Sequence, residues 1–96
     1  MSLLSRAEID LKLKELEGWA FERGALRRQF VFAGFSDAVA FVQRLVPEAE
    51  HVDRHPDVTI NYSGVTLAYV THSQGGVTTK DVDGARMADR VAGGAR

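Results

Sequence analysis

All three histidines of the chain fall between residues 51 and 72, as His51, His55 and His72, in a stretch that also holds Glu50, Asp53, Arg54 and Pro56. Histidine is the side chain that changes charge near neutral pH, so histidines close in space can divide the work of proton donor and acceptor. The hairpin expected here brings two of them together. Val58 to Tyr62 and Val65 to His72 read as strands, with Ser63-Gly64 as a two-residue turn. That turn pairs Tyr62 with Val65, Ile60 with Leu67 and Val58 with Tyr69 on one apolar face. Extended outward, the same register sets His55 opposite His72. Directly opposed residues on antiparallel strands have Cβ atoms about 4.5–5.5 Å apart. Neighbouring imidazoles disfavour joint protonation, which separates their proton affinities into an acid and a base. A pair of partly buried histidines making structural hydrogen bonds is the alternative reading.

The same residues admit other readings. His51 and His55 stand four apart, a spacing that on one helix would present two metal ligands to one side. Pro56, however, biases His55 away from helical geometry, and without cysteine Asp53 or Glu50 would have to complete the set. His51 is more simply a cation near a helix C-terminus. Arg54 stays protonated and cannot act as a base, though it can bind a carbonyl or pair with Asp53 or Asp57. Asp81 follows Thr78 by three residues and fits a capping box. Gly75-Gly76 is a permissive turn without the lysine of a phosphate loop.

Helices and strands must hold these residues in place. Ser5 and Glu8 have capping-box spacing before Ile9, Leu13 and Leu16, and Gly18 closes that first helix. Trp19–Glu22 and Leu26–Phe32 form a hairpin across Arg23-Gly24, with Phe30 and Phe32 on one face and Arg27, Gln29 and Val31 on the other. A second helix starts at Ser36 as N-cap and carries Ala38, Phe41, Val42, Leu45, Val46 and Ala49 in one stripe. Pro47 predicts a kink, or a break before a short final turn from Glu48 to Val52. A third helix begins near Thr78, has Val82, Ala85, Ala88, Val91 and Ala92 as its apolar face, and ends at Gly93-Gly94. The order helix-strand-strand-helix-strand-strand-helix predicts an α+β domain with an antiparallel sheet and its helices on one face.

Ninety-six residues suit one domain, spanning residues 1–96, whose small core invites oligomerisation. Twelve basic residues against 13 acidic ones, a net charge of -1, argue against a nucleic-acid binder or a polybasic membrane anchor. The absence of cysteine removes disulfides and thiolate chemistry. No stretch is long and apolar enough for a membrane span, and the start lacks the pattern of a signal peptide. A cytoplasmic protein is expected.

Glu50-His51-Val52-Asp53-Arg54-His55-Pro56-Asp57, then Tyr62, Thr71-His72 and Asp81, resembles the signature of the pterin-4a-carbinolamine dehydratase family. Leu16-Glu17-Gly18-Trp19, Phe35-Ser36-Asp37-Ala38 and Thr71 to Thr78 extend the resemblance over almost the whole chain. It implies a four-stranded antiparallel sheet with three helices on one side, in a homodimer or homotetramer. It implies dehydration of 4a-hydroxytetrahydropterin to quinonoid dihydropterin, with a link to the aromatic amino acid hydroxylases whose cofactor is recycled. The implied reaction calls for no metal or organic cofactor. By the same resemblance His55 and His72 are the catalytic pair, and Glu50, Asp53, Arg54, Pro56 and Asp81 are substrate-binding positions. Arg54 is a departure, because the family usually has its first histidine there. That departure leaves a second reading, a non-catalytic homo-oligomeric binding or assembly protein on the same fold.

Overall fold

A computed structural model of the chain describes residues 3–93. The first helix, α1 (Arg6–Leu13), begins where the sequence predicts. The Ser5 hydroxyl accepts from the Glu8 N–H at 3.1 Å, and the Glu8 carboxylate accepts from the Ser5 N–H at 2.8 Å. These bonds hold the Glu8 carboxyl below its ordinary range. Ile9 is buried, and Leu16 is buried in the turn that follows the helix. Strands β1 (Ala20–Glu22) and β2 (Ala25–Val31) pair antiparallel across Arg23-Gly24. Both loop residues have positive φ, at 50° and 79°, the pattern of a turn whose twist matches the flanking strands.

Helix α2 (Phe35–Val52) begins slightly earlier than expected, because Gly34 and not Ser36 is its N-cap. The Ala38 N–H donates to the Gly34 carbonyl at 3.1 Å, which leaves Ser36 inside the first turn. Ala38, Phe41, Leu45 and Ala49 are the buried stripe. The helix continues through Pro47 to Val52 without the expected break. Pro47 lies on the exposed side. Asp53 ends the helix in the left-handed region at φ 53°, and the Arg54 N–H donates to the Ala49 carbonyl at 3.0 Å.

Strands β3 (Asp57–Asn61) and β4 (Gly64–Tyr69) complete an antiparallel sheet of order β1-β2-β4-β3. Their register departs from expectation by two residues. Ile60 faces Val65 and Val58 faces Leu67, so the loop is Tyr62-Ser63 and not Ser63-Gly64. A shift of two preserves which face each side chain takes, so the apolar pattern alone could not distinguish the two registers. Gly64 is drawn into the ladder opposite both Val31 and Asn61. A Cβ there would lie 2.8 Å from Gln29 Nε2. Tyr62 takes the left-handed turn position instead, at φ 55°.

One face of the sheet presents Leu26, Phe30, Val65, Leu67 and Tyr69 to Ile9 of α1, to α2, and to helix α3 (Thr79–Ala92). Val82, Ala85, Met87 and Ala88 are the residues α3 buries there, and Gly94 lies outside the described residues. The fold class is therefore α+β, with a four-stranded antiparallel sheet and three α-helices among the described residues. The edge strand β3 is exposed along its whole length, with Val58 at 42% and Ile60 at 38%.

Candidate functional site

The link between α2 and β3 sends adjacent side chains to different partners. Glu50 sits in the last turn of α2, and the chain then runs through Asp53 and Arg54 to His55 and Pro56, with β3 starting at Asp57. His55 Nε2 donates to the Glu50 carboxylate. A carboxylate only accepts, so Nε2 carries the proton, and in the neutral ring Nδ1 keeps its lone pair. Both side chains are more than half exposed. They border a groove of about 130 Å³ whose other walls are Val42, Leu45, Val46, Ala49, Pro56 and Val58. An orientable imidazole beside an apolar slot can exchange a proton with a flat ring lying in it.

Arg54 joins a different set of residues. Its side chain is 16% exposed, and Nη1 donates to the Thr71 hydroxyl at 3.3 Å and stands 4.0 Å from Asp81 Oδ1. Asp81 is fully buried. Its Oδ2 accepts from the Thr78 N–H at 2.8 Å, as the expected capping box requires, and from the Thr71 hydroxyl at 2.7 Å. The Thr71 and Thr78 hydroxyls lie 3.0 Å apart. Thr71 also bridges to Gly76, with its N–H donating to the Gly76 carbonyl at 2.8 Å. Between these anchors, His72 opens a short 3₁₀ turn (His72–Gln74) and is exposed. A cavity of about 200 Å³ on this side is lined by Val52, Arg54, Lys80, Asp83, Gly84, Met87 and Arg90.

The observed register corrects one expectation. The ladder between β3 and β4 closes at Asp57 and Ala68, and its extension sets His55 opposite Val70, not His72. Glu50 and His55 meet, and Arg54 meets Asp81, while Asp53 is an exposed helix cap and Pro56 a wall of the groove. Thr71 and Tyr69 escape the sequence reading as members of this cluster. The available signal is Gly84, a glycine inside a helix. A Cβ there would lie 2.6 Å from Tyr69 Cε1 and 3.2 Å from Arg54 Cγ. Tyr69 is buried, and its hydroxyl has no hydrogen-bond partner among the described residues. Burial raises its phenol above the ordinary range, with the Asp89 and Asp81 carboxylates adding to the effect.

Comparison with known proteins agrees with this architecture. Residues 2–91 match the family described as pterin 4 alpha carbinolamine dehydratase. A relative from Mycolicibacterium vanbaalenii, provisionally named pterin-4-alpha-carbinolamine dehydratase, is 44% identical over 97% of this chain and 100% of its own. One of the same provisional name from Sulfolobus acidocaldarius is 40% identical over 92% of this chain and 97% of its own. The crystal structure of a transcriptional coactivator/pterin dehydratase from Brucella melitensis superposes with a TM-score of 0.88, at 35% identity over 96% of this chain and 100% of that one. A pterin dehydratase-like protein described as a RuBisCO assembly factor of the alpha-carboxysome shares the fold, with a TM-score of 0.64 at 18% identity over 78% of this chain and 87% of that one. The chain belongs to the pterin 4 alpha carbinolamine dehydratase family.

Proposed function

We propose that the protein dehydrates 4a-hydroxytetrahydropterin to quinonoid dihydropterin, with His55 as the principal acid–base residue. The observation that carries this reading is the Glu50–His55 pair at the rim of an apolar groove, in a chain of this family. The reaction removes the N5 proton, forms the N5–C4a double bond and breaks the C4a–O bond. The departing oxygen takes a proton and leaves as water. His55, held through Nε2 by Glu50, offers Nδ1 as the base. His72 serves as the second proton-transfer group. The apolar walls take the faces of the pterin ring, and the chemistry needs no metal or organic cofactor. The same reading makes the protein a cytoplasmic homo-oligomer that supports tetrahydropterin recycling.

The test is dehydration of freshly generated 4a-hydroxytetrahydropterin, followed by absorbance. His55→Ala is expected to lower kcat/KM by about 10²-fold or more, the usual scale of acid–base catalysis. A wild-type rate no higher than the uncatalysed background would sink the proposal. Arg54, at a position where the family usually has histidine, favours one alternative, a non-catalytic assembly protein on this fold. Background-level dehydration together with capture of a defined protein partner would select it.

A further inference from the structure

Arg54 and His55 are consecutive, yet Arg54 is bound to the segment that carries His72. That segment is fastened at both ends by one buried carboxylate. Asp81 Oδ2 accepts from the Thr71 hydroxyl at its start and from the Thr78 N–H at its end. Arg54 stands beside the other oxygen, Oδ1, which has no hydrogen-bond partner among the described residues. A fully buried carboxylate needs a compensating charge, and arginine, always protonated, is suited to supply it. The 4.0 Å separation makes the attraction to Asp81 one of charge, while the direct hydrogen bond goes to Thr71.

We propose that Arg54 is a positioning residue and not a substrate contact: as the counter-charge of the buried Asp81 and a donor to Thr71, it ties the backbone next to His55 to the 71–78 segment that holds His72. The two histidines are thus located relative to each other by this knot and not by strand pairing. The proposal rests on the dehydratase reading only for the use made of the histidines. Its test needs no activity, so a failure of that reading would be seen separately.

The experiment compares thermal unfolding and amide hydrogen exchange in wild type, Arg54→Met, Arg54→Lys and the double variant Arg54→Met/Asp81→Asn. Arg54→Met leaves a buried carboxylate without its counter-charge. It is expected to lower Tm by more than ~10 °C. It should also speed exchange of the Gln74 and Gly75 amides about 10-fold or more, since both donate within the fastened segment. Arg54→Lys should recover part of both effects. Adding Asp81→Asn should recover most of the lost Tm. Unchanged Tm and exchange in Arg54→Met would overturn the proposal. If Arg54→Met is insoluble, a folded double variant supports the proposal and an equally insoluble one overturns it.

Discussion

Two carboxylates of this protein show how setting decides role. Glu50 is exposed and orients an imidazole, whereas Asp81 is buried and fastens backbone. Both are legible as positions in the sequence, Glu50 from the histidine cluster and Asp81 from its spacing to Thr78. The bond from Thr71 to Asp81 is not legible, because it forms only once β4 and α3 have packed. Tyr69 carries a consequence of its own. Its phenol is raised by burial, while in the unfolded chain a tyrosine ionises near pH ~10. The stability from keeping it neutral is therefore present below that pH and lost as pH rises above it. Tyr69→Phe is expected to change stability by less than about 1 kcal/mol at pH 7, since the buried hydroxyl lacks a partner among the described residues, and to flatten the decline above pH ~10. Denaturant titrations of both proteins from about pH 8 to about pH 11 check this, and parallel curves would count against it.

At the scale of elements, every α-helix and strand is legible from its pattern, but two end signals are not: Gly34 and not Ser36 caps α2, and α1 ends at Leu13, short of Leu16 and Gly18. Nor is the β3–β4 register. Apolar alternation fixes which face a residue takes but is indifferent to a slip of two. The natural turn signal, Ser63-Gly64, misleads because the glycine serves a close approach to Gln29. The first turn residue, Tyr62, has positive φ while Ser63 does not, which is the arrangement that favours glycine first. Tyr62 is also 71% exposed, so it has little packing to lose. Tyr62→Gly is expected to be neutral or stabilising by up to about 1 kcal/mol, because relief of a left-handed L-residue offsets the entropy of glycine. Urea denaturation measures it, and a loss above about 1 kcal/mol would contradict the turn assignment.

At the scale of the whole molecule, β3 is one of the sheet's two edge strands and the longer of them. A strand edge with unpaired backbone groups and exposed apolar residues invites another strand. Val58 and Ile60 lie at that edge, and Val58 also walls the groove beside His55. A second copy pairing here would bury the edge and complete one side of the groove. Wild type is expected to sediment as a dimer or larger, and Ile60→Lys should shift it toward monomer at micromolar concentration. A monomeric wild type would refute this. A different part of the molecule bears on all of these measurements. The chain has a single tryptophan, Trp19. Its indole N–H donates to Asp89 of α3 at 3.0 Å, and its ring lies 6.0 Å from that of Phe30 and 5.9 Å from that of Tyr69. Its fluorescence therefore has one source, placed at the seam between α3 and the sheet, so the protein carries a built-in optical reporter of whether α3 is seated.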